Sequence, residues 1–147
     1  MKIAIFDMDG TLLDSQKDLT DAINFVREKN HNLEPLSCSF VVDAINMHER
    51  NLSMLFYETK LYEDADRELF EATYGAWCVK NVYLYDGVAS MLKGLSDSGF
   101  KLSVATNAPS SFSKTMLTHL GVFELFDFVV GADMVKAPKP EADMLEF

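Results

Sequence analysis

The feature that most constrains the fold is a short apolar run that ends in two aspartates. Residues 3–6 read Ile-Ala-Ile-Phe, Asp7 and Asp9 follow, and Gly10 comes next. A continuous apolar run of this length is typical of a parallel strand that is covered on both faces. Ligand crevices of open α/β sheets lie at the carboxyl ends of such strands. We therefore predict a buried strand whose end carries chemistry at Asp7 and Asp9.

Residues 7–10, Asp-Met-Asp-Gly, also fit a plain turn. Asp-x-Asp-Gly is common in loops, because Asp bonds its own backbone and Gly tolerates left-handed conformations. A solvated turn does not usually place two carboxylates at the buried end of an apolar strand. The position in the chain therefore favours a functional interpretation over a structural one.

Composition limits the size of the protein and its partners. The chain has 147 residues, of which 48% are hydrophobic, and this predicts one domain or one domain with a modest insertion. Thirteen basic and 23 acidic residues give a net charge of −10, which argues against nucleic acid and anionic membrane surfaces as partners. Cys38 and Cys78 are expected to be free thiols in a reducing cytoplasm. The N-terminus does not resemble a signal peptide.

Hydrophobic spacing divides the chain into two textures. Residues 15–84 are helical in pattern, beginning with Leu19, Ile23 and Val26 on one face. Beyond residue 85, helices and strands alternate: a helix over 87–98, a strand over 101–106, a helix from 110 and a strand over 126–130. Alternation of this kind predicts a parallel sheet. The predicted fold is a Rossmann-like α/β core formed by residues 1–14 and 85–147, with a helical bundle inserted after its first strand.

Three segments together resemble a known family. Residues 6–15, Phe-Asp-Met-Asp-Gly-Thr-Leu-Leu-Asp-Ser, resemble motif I of the haloacid dehalogenase-like hydrolase superfamily in its phosphatase and phosphomutase branches. Val-Ala-Thr-Asn at 104–107 resembles motif II, and Lys-Ala-Pro-Lys-Pro at 136–140 resembles motif III. The insertion lies where the C1 cap of the family belongs. The chain is most similar to the phosphoglycolate phosphatase and β-phosphoglucomutase group.

The resemblance implies a role for each motif residue. Asp7 would be the nucleophile that forms an aspartyl-phosphate, and Asp9 would be the general acid and base. Thr106 would donate a hydrogen bond to the phosphoryl group, and Lys139 would supply positive charge. The cofactor would be Mg²⁺, held by Asp7 and by the backbone carbonyl of Asp9. A carboxylate about 4 Å from a phosphate dianion is repelled by roughly 8 kcal/mol at an effective dielectric near 20. A carboxylate nucleophile therefore needs positive charge beside it, which the lysine and the metal ion would supply.

Several assignments stay open at this point. Lys136 lies three residues before Lys139 and competes with it, although the Lys-Pro pair favours Lys139. Asn107 would either orient the substrate or shape its turn. Gly10 and Thr11 are expected to contribute to substrate binding as part of the loop after the first strand. The histidines have no motif context and are expected at the surface or on helix flanks; they are His31, His48 and His119.

The fourth motif of the family, a Gly-Asp-x-x-x-Asp type sequence, does not follow Lys139 in these 147 residues. The resemblance therefore implies a core that is incomplete at its C-terminus, with weakened Mg²⁺ binding and an apolar, unpaired sheet edge. The expected function is Mg²⁺-dependent hydrolysis of a small organic phosphomonoester, phosphoglycolate being the first candidate. The alternatives are a β-phosphoglucomutase-like phosphomutase and a non-catalytic module that binds a phosphate metabolite or a partner.

Overall fold

The chain forms two compact units. The computed structural model describes residues 1–47 and 49–146. One unit combines Met1–Ser15 with Val82–Phe147, and the other is Gln16–Asn81. In chain order the regular elements are β1 (Lys2–Phe6), β2 (Leu13–Asp14), α1 (Gln16–His31), α2 (Cys38–Asn46), α3 (Leu52–Tyr57), α4 (Asp64–Trp77), β3 (Tyr83–Leu84), α5 (Val88–Asp97), β4 (Phe100–Thr106), α6 (Ser110–His119), β5 (Phe128–Gly131) and α7 (Asp143–Glu146).

The discontinuous unit is built on a parallel three-stranded sheet in the order β1-β4-β5. Phe6 lies opposite Val104, and Thr106 lies opposite Gly131, so the carboxyl ends of all three strands meet at one edge. Helix α5 packs against β4, and α6 packs against β5. Their buried side chains include Leu92, Met116 and Leu117, which form the core of this unit together with β4 side chains. The predicted α/β class with a parallel sheet is confirmed.

The first strand differs from its prediction, because its apolar side chains are not covered on both faces. Ile3 is 53% exposed and Ile5 is 46% exposed, and β1 is one of the two edge strands of the sheet within the described residues. The register aligns Ile5 with Ser103 and Ser103 with Phe128, which is 63% exposed. These residues therefore share one sheet face. In the described residues, α7 covers that face near its carboxyl end, where Met144 packs on Ala105 and Val130.

The continuous unit, Gln16–Asn81, is a bundle of α1 to α4. Its core contains Ile23, Val26, Val41, Ala44, Phe56 and Tyr57. Buried Arg27 donates hydrogen bonds to the carbonyl oxygens of Glu34 (2.8 Å) and Phe56, so its charged head is not left without acceptors. Buried Asp18 accepts two hydrogen bonds from Asn81, both of 2.7 Å, and so joins the two ends of the unit.

Two segments differ from the sequence pattern. Tyr83–Leu84 falls in the block predicted to be helical, but it pairs with Leu13–Asp14 as a short antiparallel ribbon. The third strand of the main sheet begins at Phe128 rather than at residue 126, because a 3-10 turn over Phe123–Leu125 precedes it. Cys38 and Cys78 are free thiols, as predicted. Among the described residues, no helix has the length and apolarity that crossing a bilayer requires.

The exposed sheet face yields a stability prediction. Phe128→Thr should change the free energy of unfolding by no more than about 0.5 kcal/mol, because the ring is already mostly in water. The same change should lower the fluorescence of a dye that binds apolar surface. Leu102→Ala is the contrasting variant in the neighbouring strand: Leu102 is 0% exposed, and removing its side chain should cost about 2–5 kcal/mol. Urea unfolding curves measure both effects, and equal losses for the two variants would contradict the assigned exposure.

Candidate active site

Asp7 follows β1 directly and meets a cation there. Its Oδ1 lies 2.5 Å from Nζ of Lys139, and its Oδ2 accepts a hydrogen bond of 3.2 Å from the hydroxyl of Thr11. The side chains of Asp7 and Lys139 are 45% and 36% exposed. This carboxylate is therefore charge-compensated and still accessible from solvent.

A tight turn reverses the chain after the two aspartates. The backbone N–H groups of Thr11 and Leu12 both donate to the carbonyl oxygen of Met8, at 3.1 and 2.9 Å. Gly10 has φ +76°, a left-handed conformation that strains residues with a Cβ atom. Met8 is fully buried, and it anchors the turn between Asp7 and Asp9. The predicted loop residues thus shape the backbone here, and Thr11 also contacts Asp7.

Asp9 has a different environment from Asp7. Its Oδ1 accepts a hydrogen bond of 2.5 Å from Ser15, and the hydroxyl of Thr106 also bonds its carboxylate. Burial raises the pKa of Asp9, and the negative charge of Asp7 adds to this effect. The hydrogen bonds from Ser15 and Thr106 oppose the shift without cancelling it. Asp9 therefore retains its proton to a higher pH than an ordinary aspartic acid does.

The last residue of β4, Thr106, and the residue after it, Asn107, both contact residues of the candidate site. Thr106 is 2% exposed, and its hydroxyl accepts a hydrogen bond of 3.1 Å from the N–H of Ala108 while it bonds Asp9. Asn107 uses its amide on the loop that follows β5: Oδ1 accepts from the backbone N–H of Lys139 at 2.9 Å, and Nδ2 donates to the carbonyl of Lys139 at 3.1 Å. Asn107 therefore bonds the backbone of the lysine whose ammonium group contacts Asp7.

The structure distinguishes between the two lysines of the loop. The ammonium of Lys139 contacts Asp7, whereas Lys136 is exposed. Between them, the backbone N–H of Ala137 donates to Asp143 at 3.1 Å, which attaches this loop to α7. The four predicted catalytic side chains, Asp7, Asp9, Thr106 and Lys139, are thus connected by hydrogen bonds, ion pairing or direct electrostatic interaction.

Sequence reasoning missed the contacts that support the start of α6. Both oxygens of Asp133 accept from Ser110, one from its backbone N–H and one from its hydroxyl, each at 2.7 Å. Gly131 passes so close that an added Cβ would lie 2.4 Å from the backbone nitrogen of Ser110. The sequence signal was a Gly-Ala-Asp run directly after a predicted strand. These contacts join the start of α6 to the end of β5 and the residues that follow it.

The donor set at the end of β1 fits a hard divalent cation. Mg²⁺ prefers oxygen ligands and commonly takes one or two carboxylates together with water and phosphate oxygens. The half-exposed carboxylate of Asp7 and the backbone carbonyl of Asp9 are ligands of this kind. The carboxylate of Asp9 is committed to Ser15 and Thr106, so its side chain is better suited to proton transfer than to metal binding.

A second polar cluster lies in the helical unit. His31, Glu63 and Asp66 place potential ligand atoms within 4.8 Å of one another. Asp66 is fully buried, and it already accepts hydrogen bonds from Nε2 of His31 (2.8 and 2.9 Å) and from Asn30 (2.8 Å). The buried carboxylate of Asp66 is therefore already satisfied by protein groups.

The predictions for the three histidines have different outcomes. His31 is the last residue of α1, which agrees with the predicted helix-flank position, but its ring packs on Tyr57 and pairs with a buried acid instead of lying free at the surface. His119 is exposed at the end of α6, as predicted. His48 lies outside the described residues.

The shifted pKa of Asp9 predicts how stability depends on pH. The folded state binds this proton more tightly than the unfolded chain, so the contribution of Asp9 to stability is lost as pH rises from 3.8 through the raised pKa. Asp9→Asn should therefore raise the free energy of unfolding at pH 7 in metal-free buffer, and the gain should shrink toward pH 4. Urea unfolding at both pH values measures it.

Asp127→Asn is the control of opposite sign. Hydrogen bonds from Lys101 and from the backbone N–H of Leu102 lower the pKa of Asp127. That contribution is present above the ordinary pKa of 3.8 and is lost below it. Asp127→Asn should therefore destabilise the protein at pH 7. If both variants shift stability in the same direction at pH 7, the assigned environment of Asp9 is wrong.

Comparison with known proteins agrees with this architecture. The haloacid dehalogenase-like hydrolase family matches residues 4–147. A phosphoglycolate phosphatase from Colwellia psychrerythraea is 33% identical over 161 aligned positions, which cover 99% of this chain and 68% of that protein. An N-acetylmuramic acid 6-phosphate phosphatase from Pseudomonas aeruginosa is 29% identical, with 99% of this chain and 65% of that protein covered.

A solved structure shares the fold. The crystal structure of a protein described as a predicted phosphoglycolate phosphatase, from Haemophilus somnus, superposes with a TM-score of 0.82 at 29% identity. The match covers 99% of this chain and 68% of that one. The chain thus spans about two thirds of the length of these relatives, between 65% and 68%. With the family matched over nearly every residue, and with three strand ends converging on the two aspartates, the chain belongs to the haloacid dehalogenase-like hydrolase family.

Proposed function

We propose that this protein is a Mg²⁺-dependent phosphatase that hydrolyses a small organic phosphomonoester through a covalent intermediate on Asp7. The observation that carries the proposal is that two neighbouring carboxyl groups lie in different environments. Asp7 is half exposed and contacts an ammonium group, whereas Asp9 is partly buried and desolvation raises its pKa. Enzymes that use two carboxyl groups in different roles place them in different environments.

In the first step an oxygen of Asp7 attacks the phosphorus atom. A bond forms between that oxygen and phosphorus, and the ester P–O bond breaks. Asp9 gives its proton to the leaving oxygen, so the alcohol departs neutral and Asp9 becomes a carboxylate. The hydrogen bonds from Ser15 and Thr106 support this step, because they stabilise the carboxylate that it produces.

In the second step water attacks the aspartyl-phosphate. Asp9 accepts a proton from the water, the acyl-phosphate bond to Asp7 breaks, and inorganic phosphate leaves. Asp7 is regenerated as a carboxylate and Asp9 as an acid, so the net reaction consumes one ester and one water. One residue bonded to phosphorus cannot also carry the proton, and this explains the need for two aspartates.

Positive charge near Asp7 makes the first step feasible. The Nζ of Lys139 reaches Oδ1 of Asp7 and would offset repulsion between that carboxylate and an incoming dianion. Mg²⁺, held by Asp7 and the carbonyl of Asp9, would add charge neutralisation at the phosphoryl oxygens. In this proposal, Thr106 acts through its contact with Asp9 and lies at the strand end that faces the phosphoryl group.

The names of the relatives guide the choice of substrate. They describe phosphatases of phosphoglycolate and of N-acetylmuramic acid 6-phosphate, both of which are small phosphomonoesters. Phosphoglycolate is our first candidate. We also propose that residues 15–84 act as the cap of the family and contribute the contacts that distinguish among organic groups, whereas residues 1–14 and 85–147 bind the phosphoryl group.

Release of phosphate from a defined panel tests the function. The purified protein is incubated with phosphoglycolate, N-acetylmuramic acid 6-phosphate and β-glucose 1-phosphate, with Mg²⁺ or with EDTA, and free phosphate is measured. We expect Mg²⁺-dependent release that Asp7→Asn lowers by at least about 10³-fold, since the nucleophile is lost. Asp9→Asn should lower kcat by about 10²–10⁴-fold, as expected for loss of a general acid.

Lys136→Met is the matched control for Lys139→Met. The two lysines share a loop, but the ammonium of Lys139 is the one that contacts Asp7. Only Lys139→Met should therefore lower the rate strongly. Conversion of β-glucose 1-phosphate to an isomer without phosphate release would overturn hydrolysis in favour of a phosphomutase. Thermal stabilisation by the esters without any product would overturn catalysis and leave a binding module.

A further inference from the structure

The amide of Asn107 is a polar group of the site that the proposed mechanism does not use. It follows Thr106 at the end of β4, and both of its functional atoms bond the backbone of one residue. The Oδ1 accepts from the N–H of Lys139 at 2.9 Å, and Nδ2 donates to the carbonyl of Lys139 at 3.1 Å. These two residues are 32 positions apart in the chain.

We propose that Asn107 is a positioning residue that holds Lys139 so that its ammonium group reaches Asp7. This inference rests on the proposed function only for the significance of the lysine, because the contact itself is independent of catalysis. It assigns to Asn107 a role other than binding substrate or closing its own turn. One dipeptide, Thr106-Asn107, thus bonds the proposed acid with its first residue and fixes the cation with its second.

The need for such a contact follows from the backbone around Lys139. The residue lies in the irregular stretch between the 3-10 turn Ala132–Met134 and α7, where neither helix nor ladder hydrogen bonds fix the chain. The nearest other backbone contacts in the described residues are from Ala137 to Asp143 and from Glu141 to Pro138, both of 3.1 Å. A lysine side chain has several freely rotating bonds, so an unfixed backbone would spread its ammonium over many positions.

An asparagine is well suited to this task. Its amide carries one acceptor and one donor on a single planar group, and these match the N–H and C=O of one residue. Alanine can make neither bond, and a serine hydroxyl can replace at most one of them. Aspartate would place an acceptor against the carbonyl of Lys139, and its negative charge would itself attract the ammonium. Ala and Ser are therefore the informative substitutions.

Reactivity of the lysine toward an amine-acetylating reagent tests the proposal without any need for turnover. Lys136 is an internal reference, because it is exposed in the same loop and does not share the contact with Asp7. Cleavage after glutamate gives one peptide, 125–141, that contains both lysines, and tandem mass spectrometry locates the acetyl group. The measured quantity is the ratio of the acetylation rates of Lys139 and Lys136.

We expect wild-type Lys139 to react more slowly than Lys136. Asn107→Ala should raise the ratio by about fivefold, the factor that corresponds to one net hydrogen bond, and Asn107→Ser should give an intermediate value. Asp7→Asn serves as the positive control, because it removes the charge partner of Lys139. Ser111→Ala, an exposed change four residues from Asn107, should leave the ratio unchanged.

The outcomes separate this inference from the proposed function. An unchanged ratio in Asn107→Ala, with a raised ratio in Asp7→Asn, would overturn the positioning role. An unchanged ratio in both would overturn the ion pair and the inference with it. In the active protein, Asn107→Ala should lower kcat by about tenfold with little change in KM, whereas a substrate ligand would raise KM. Absence of phosphatase activity in the wild type would overturn the function, but the labelling ratio would still decide the role of Asn107.

Discussion

The candidate site depends on the parallel register of β1, β4 and β5. Phe6 lies opposite Val104, so β1 ends two residues before β4 does, and Thr106 in turn lies opposite Gly131. This stagger leaves room at the end of the shorter strand, and Asp7 and Asp9 lie there beside the continuing edge of β4. A slip of one residue would turn Thr106 toward the other sheet face and separate it from Asp9. The catalytic proposal therefore rests on backbone pairing before it rests on any side chain.

Two neighbouring carboxyl groups of the site have different surroundings, because different side chains contact them. Asp7 has a cation and solvent access, and Asp9 has two hydroxyl groups and burial. Hydroxyl groups can stabilise a carboxylate as donors and a carboxylic acid as acceptors, whereas an ammonium stabilises the charged form alone. Ser15 and Thr106 thus suit a group that gains and loses a proton, and Lys139 suits a group that remains an anion until it forms a bond.

Much of the fold could be predicted from local sequence, but the exposure of individual side chains and the contacts between residues far apart in sequence could not. The elements α5, β4 and α6 lie within a few residues of their predicted bounds, because their apolar residues recur with strong periodicity. The exposure of Ile3 and Ile5 could not be predicted, since an apolar run looks the same in an edge strand as in a central one. His31 and Asp66 are 35 positions apart, so their pairing depended on how α1 and α4 pack. The contacts of Asn107 with Lys139 could not be predicted for the same reason, because these residues are 32 positions apart.

The ion pair between Lys139 and Asp7 is better explained by chemistry than by stability. Both side chains are more than one third exposed, and pairs of this kind contribute only about 0–1 kcal/mol to folding. Two hydrogen bonds between Asn107 and the backbone of Lys139, one in each direction, nevertheless hold the backbone that carries the lysine. Such support for a weak surface contact is reasonable if the position of the ammonium matters in its own right. A phosphate dianion approaching Asp7 would then meet a positive charge already in place, with no cost of ordering the loop at the moment of reaction.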